Sequence, residues 1–222
     1  MNIYIISGTD SPIKYLEYPI EKISFEFKQI SSLDEGTQNM MRCPSFRDFY
    51  KNTFVYKSPI DFNIFQKNGD TILDFPNQQE EPIDPLFVSL GGILEIFPFH
   101  GFFVLSDKDV VMDILPPALS SSIPQVCASL NVGKWTRSIH PVIIPNKQNI
   151  TVKRGDPLLY LRFRTDEKVK LKFRDDKNIT EIIKTIKDIR KYVKGKPLQF
   201  FYDIFEKNKI RNKIIKILEK EG

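Results

Sequence analysis

Apolar and polar residues alternate through most of this chain, and the period of that alternation changes near Arg174. Before that point the period is two. Ile23, Phe25 and Phe27, and later Val169, Leu171 and Phe173, each fall on one face of an extended strand, with polar residues between them. The same pattern places strands over residues 1–8, 53–57, 62–66, 71–75, 101–105, 110–115, 141–144, 150–152 and 158–164. Gly91-Gly92 reads as a bulge or tight connection between the apolar runs 87–90 and 93–97. Polar breaks lie at 67–70, 106–109 and 145–148. The first two read as hairpin turns, and Asn68-Gly69 is the strongest short signal among them. Short strands with regular turn signals predict an antiparallel β-sandwich or small barrel. Two polar, proline-bearing stretches, 78–85 and 116–124, read as loops, the second long enough to form a flap.

After Arg174 the period becomes helical. Asn178 stands three residues before Glu181 in the form of a capping box, and Ile179, Ile182, Ile183, Ile186, Ile189 and Val193 make one stripe. Gly195 closes that helix, and Pro197 suits the first turn of a second one bearing Leu198, Phe201, Ile204 and Phe205. Ile210, Ile214, Ile217 and Leu218 continue the spacing. The expected fold is therefore α+β: a β-rich domain at 1–174, then basic C-terminal helices at 175–222 packed on it. An isolated helix of about 16 residues is marginal in water, so the stripe of Ile182, Ile186, Ile189 and Val193 is expected to dock on the β domain.

Composition narrows the class. With 222 residues the chain can build one good core plus an appendage, and 41% hydrophobic residues set it apart from disordered chains. The longest apolar run, 86–105, is broken by Gly91, Gly92, Glu95, Pro98 and His100, so no membrane partner is expected. The first residues lack a basic region and read as a strand, with no export signal. Cys43 and Cys127 have no CxxC partner, which points to a reducing compartment and buried thiols. The net charge of +5 is uneven: residues 168–222 hold 17 basic and 8 acidic residues. That excess is read first as a solvated lysine face and second as an attraction for nucleic acid.

Candidate chemistry is sparse. His100 and His140 belong to no metal-ligand spacing, and no P-loop or GxGxxG pattern occurs, so neither metal nor cofactor is expected. His100 reads as a cap on an aromatic cluster, and Cys43 as a buried, inert thiol. Asp61 and Asp156 sit beside turns, where each would accept backbone N–H bonds, with Gly155 supplying a positive φ. Phe46, Arg47, Phe49, Tyr50, Lys51, Phe54, Tyr56 and Lys57 form the densest aromatic and cationic patch. Its expected form is a short amphipathic helix at 45–51 leading into a strand with its aromatics in the core. The alternative is a stacking surface for bases or sugars.

Four segments carry a resemblance: Met41-Arg42-Cys43-Pro44-Ser45-Phe46, residues 51–61, Gly133-Lys134-Trp135-Thr136-Arg137, and Arg154-Gly155-Asp156-Pro157. Together they resemble an uncharacterised protein family encoded by tailed phages of marine bacteria, notably cyanobacteria. The resemblance runs from about Cys43 to the C-terminal helices. It implies a bacteriophage origin, and it brings no assigned activity or catalytic residue. Residues 150–163 also look like the closing strand-turn-strand of trimeric dUTPase-like barrels. The uracil, phosphate and water-activating motifs of those enzymes are missing, so this second likeness implies a fold analogy at most.

Three functional readings follow. The first is a non-catalytic phage protein that works by contact with another phage or host protein. It would be a virion or assembly component, or a host modulator in the host cytoplasm. The second is an enzyme with a pocket near His100, His140, Trp135, Arg137 and Asp156; the catalytic candidates are His100, His140 and Asp156, and the binding candidates are Trp135, Arg137 and Arg154. The third is nucleic-acid binding through Lys184, Lys187, Lys191 and Lys194, with Lys209, Lys213 and Lys216 continuing one positive face. No residue pattern decides between enzyme and binding protein, or sets an oligomeric state.

Overall fold

The computed structural model describes residues 1–7, 20–23, 35–58, 61–67, 70–76, 87–90, 93–96, 102–117, 125–134, 139, 142–143, 149–174 and 196–219. Among these residues the first strands are β1 (Asn2–Ser7), β2 (Glu21–Lys22), β3 (Thr53–Lys57), β4 (Phe62–Lys67), β5 (Asp70–Asp74), β6 (Phe87–Leu90) and β7 (Ile93–Ile96). They are followed by β8 (Phe102–Ser106), β9 (Val111–Leu115), β10 (Ala128–Asn131), β11 (Val142–Ile143), β12 (Ile150–Val152), β13 (Pro157–Phe163) and β14 (Lys170–Arg174). The helices are α1 (Glu35–Arg42), α2 (Pro44–Tyr50), α3 (Leu198–Lys207) and α4 (Ile210–Glu219).

The result is a mixed α+β fold whose strands pair mostly antiparallel. One sheet runs β14-β1-β8, a second β10-β9-β13-β3-β2, a third β11-β7-β6 and a fourth β12-β4-β5. Each is open among the described strands, so the small-barrel expectation is not met there. The exception to antiparallel pairing is β1 with β14, which joins the two ends of the β-rich segment in parallel.

Alternation along the strands makes two faces. Ile3 and Ile5 of β1, with Phe102 and Val104 of β8, enter one cluster with Met112, Leu159, Leu161 and Phe163 of the second sheet. Tyr4 and Ile6 point the other way and meet Phe205, Ile210, Ile214, Ile215 and Leu218 of α3 and α4. Fully burying an apolar side chain is worth roughly 1.5–3 kcal/mol. The C-terminal helix pair is thus held mainly by apolar contact. Arg174 adds a polar tie: its Nη2 donates to the Leu218 carbonyl at 2.9 Å, a cation at a helix C-terminus. The helix expected from residue 178, with its isoleucine stripe, lies outside the described residues.

Three local expectations need correction. Residues 106–109 do not turn a hairpin, because β8 and β9 belong to different sheets. The polar turn instead crosses between layers, fixed where Asp107 accepts the Asn2 N–H at 3.0 Å. Both cysteines are exposed, not buried. Cys43 lies between α1 and α2, where Pro44 ends one helix and opens the next, and Cys127 precedes the edge strand β10. Helix α2 forms as expected, yet none of its residues is buried.

The turn from α2 into β3 depends on Asn52, which holds a left-handed φ of 57°. Its amide donates to the Thr165 and Glu167 carbonyls at 2.9 and 2.8 Å, an arrangement that suits asparagine at this conformation. No described helix is long and apolar enough to cross a membrane.

Candidate functional site

The second sheet turns one face away from the shared cluster, and the strand register there assembles a charged group. Arg162 of β13 stands opposite Asp113 of β9, and Asp113 opposite Ser129 of β10. Just past β13, Arg164 reaches back to the same carboxylate. Its Nε and Nη2 donate to Oδ2 and Oδ1 at 2.8 and 2.7 Å, and Ser129 Oγ donates to Oδ1 at 2.7 Å. Arg162 Nη1 adds its charge at 3.9 Å.

Asp113 is only 3% exposed, whereas the Arg164 side chain is 55% exposed. Burial works to raise the Asp113 carboxyl. The Arg164 and Ser129 hydrogen bonds and the two guanidinium charges outweigh it and hold the group below the ordinary carboxylate range. The carboxylate raises Arg164 in turn, chiefly through their hydrogen bonds. Two arginines are thereby held at a surface by one buried anion.

Helix α2 lies over the same face. The Arg162 guanidinium sits 4.3 Å from the centroid of the Phe49 ring, and Tyr50 meets Tyr160 edge-on at 6.3 Å. Phe46 and Phe49 flank Tyr50 at 4.7 and 5.0 Å. Phe49 remains 40% exposed. Of the aromatics expected in the core, Phe54 is buried there and Tyr56 and Tyr50 pack against buried clusters, whereas Phe49 stays at the surface. A helix of two turns, ended by the Asn52 turn, offers too narrow a face to bury three rings at once. At the start of α2 the amides of Phe46 and Ser45 lower the Cys43 thiol from its ordinary value, without forming a side-chain cap bond.

Of the residues singled out in the sequence, Arg154 and Asp156 share a tight turn. Asp156 Oδ2 accepts the Lys153 N–H at 2.8 Å, Asp61 Oδ1 accepts the Arg154 N–H at 2.7 Å, and Gly155 has φ +91°. Ser58 exchanges backbone bonds with the same turn at 2.7 and 2.8 Å. Both carboxylates thus act as expected of structural turn acceptors. His100, His140, Trp135, Arg137, Lys184, Lys187, Lys191 and Lys194 lie outside the described residues. Among the described residues no cluster of His, Cys, Asp and Glu is placed to hold a metal ion.

Sequence reading missed the Asp113–Arg164–Ser129 group entirely. A signal was present: a carboxylate between Met112 and Ile114, and arginines flanking Phe163, at alternate positions of two apolar strands. What joins them is the pairing of β9 with both β10 and β13.

No protein-family model matches the chain, and no curated protein matches it.

Proposed function

We propose that the protein is a binding protein that acts by contact with another protein through the α2–β13 face. One observation carries this reading: Phe49 is held 40% exposed over the Arg162 guanidinium, which lies 3.9 Å from the buried Asp113 carboxylate. Exposed aromatic rings and arginines, with their conformations already restricted, are the side chains that dominate protein interfaces. An anchored ring loses little entropy on docking, and a cation beneath it is worth about 0.5–1 kcal/mol at an exposed site. The two sheets that share one cluster serve, in this reading, as the halves of a sandwich that presents the face. The family resemblance adds a phage setting, as a virion or assembly component or as a host modulator.

In infected cells, tagged wild-type protein is expected to retain a partner that Phe49→Ala and Arg162→Ala lose. The expected loss is about 1–2 kcal/mol, roughly five- to thirtyfold in affinity. Equal retention by all three folded proteins overturns the reading. Mass spectrometry of purified particles separates the virion role from the intracellular one.

A second reading has one specific support. Lys213 and Lys216 are both exposed at helical spacing on α4, and Lys209, also exposed, stands just before its first turn. Nucleic-acid binding through these lysines requires an affinity that falls steeply with salt and disappears on truncation after Arg174.

A further inference from the structure

A cleft of about 190 Å³ opens between the turn after β10 and the junction of α3 with α4. A cavity of about 150 Å³ is enough to hold benzene, so a small molecule fits here. Its floor is Gly133. A side chain at this position would overlap the Arg211 guanidinium and the Asp109 carboxylate, so glycine lets that ion pair lie against the backbone. On the opposite wall Lys134 Nζ pairs with Glu206 at 3.1 Å.

Counting charges decides the sign of what the cleft can take. Lys134, Lys209 and Arg211 face Asp109 and Glu206. Each carboxylate is engaged by one of the other two cations. Lys209 is in surplus, with no ion-pair partner among the described residues. Lys209 also holds a left-handed backbone, φ 51°, at the α3–α4 junction. That conformation disfavours a lysine by roughly 1–2 kcal/mol, whereas glycine would adopt it freely. It is the conformation that ends α3, with the Lys209 N–H donating to the Glu206 carbonyl at 2.9 Å. Asn212 also lines the cleft.

We propose that this cleft binds a compact anion of phosphate or phosphate-monoester type. Tetrahedral oxygens can accept from Lys209, Lys134 and Arg211 together, and charge-assisted hydrogen bonds are the strong ones. A neutral ligand leaves the surplus charge uncompensated, and a cationic one meets a positive lining. The room beyond a phosphate group accommodates a small organic remainder. The site is separate from the α2–β13 face and does not depend on the reading given to that face. Gly133 and Lys134 also belong to the Gly133–Arg137 segment, one of the most distinctive of the chain.

The test is calorimetric titration of the full chain with inorganic phosphate, against chloride at equal ionic strength. Saturable binding is expected. It should weaken at least about tenfold in Lys209→Gln, a change of 1.4 kcal/mol or more. Lys67→Gln, outside the cleft lining, should bind like wild type. Phosphate should perturb the amide resonances of Gly133, Lys134 and Arg211 together. Glycerol phosphate distinguishes the sources: tighter binding than inorganic phosphate supports a phosphorylated metabolite, and equal binding supports the free ion. Heat that chloride reproduces, or equal affinity in Lys209→Gln and wild type, overturns the proposal.

Discussion

Helix α2 and the C-terminal helix pair lie against different sheets of this molecule, and they use apolar side chains in contrary ways. The C-terminal pair, α3 and α4, turns Phe205, Ile210, Ile214, Ile215 and Leu218 onto Tyr4, Ile6 and Leu105. In α2 no residue is buried, and Phe49 stays open over Arg162. Helix α2 and the C-terminal pair are both amphipathic by sequence, so amphipathicity alone does not say that a face is buried. Length and register decide. Helices α3 and α4, ten residues each, lay several apolar positions along a sheet, whereas α2 has seven and is held by its ends. The first arrangement stabilises the fold, and the second leaves surface available for a partner.

Substitution at Phe205 tests the contrast most severely. Phe205→Ala should lower unfolding free energy by about 3–5 kcal/mol, measured by denaturant titration, because it opens a cavity between α3 and the first sheet. A loss below about 1 kcal/mol, the range of surface changes, would mean that the C-terminal pair is not docked by apolar contact.

Asp113 gives the next largest effect, on the other face. Its folded pKa lies below the ordinary value, so the unfolded chain takes up the proton more readily. The stabilisation is therefore complete above the ordinary carboxylate pKa of about 3.9 and is lost as pH falls through the lower folded value. Asp113→Asn should cost about 1–3 kcal/mol at neutral pH, with the gap to wild type closing below roughly pH 4. Chemical denaturation across pH 2 to 7 (roughly the span of carboxylate titration) measures both limbs. A gap that persists unchanged into acid would remove the ion pair as its cause.

Gly133→Ala separates polar from apolar docking of the C-terminal pair. A methyl group there displaces the Arg211–Asp109 pair, and an exposed ion pair is worth about 0–1 kcal/mol. The expected loss in thermal unfolding is thus several-fold smaller than for Phe205→Ala. An equal loss would assign the docking to the ionic latch.

Phe49→Ala should have the least effect on stability, within about 0.5 kcal/mol, since Phe49 lies at the surface. It should nevertheless abolish most partner retention. A large stability loss with unchanged retention would reverse the roles of α2 and the C-terminal pair.

Much of the fold was legible because period-two alternation is a local property. Residues 53–57 and 150–152 match β3 and β12 at both ends, and most other strands agree within a residue or two. Two strands were missed. One is β10 (Ala128–Asn131), which has few apolar residues and owes its form to pairing with β9. The other is β2 (Glu21–Lys22), which pairs with β3 just ahead of the alternation expected over 23–28, whose residues 24–28 lie outside the described ones. Helix α1 (Glu35–Arg42) was missed because its sequence, with glycine and little apolar periodicity, carries weak helical signal. The Lys153–Asp156 turn was readable in full, since Gly155 and Asp156 act within their own few residues.

The sequence by itself determined most of the strands, the change of period at Arg174, the chemistry of the Lys153–Asp156 turn and the charge excess of the C-terminal quarter. Each of these depends on neighbours within about one turn or one pleat. Tertiary structure alone decided that Arg164 and Ser129 share the Asp113 carboxylate, that Phe49 stays at the surface, and that Gly133, Lys134 and Lys209 line one cleft. Those groups join residues dozens of positions apart through strand register and layer packing. Register is set by the summed burial of whole sheets, which no short stretch of sequence contains.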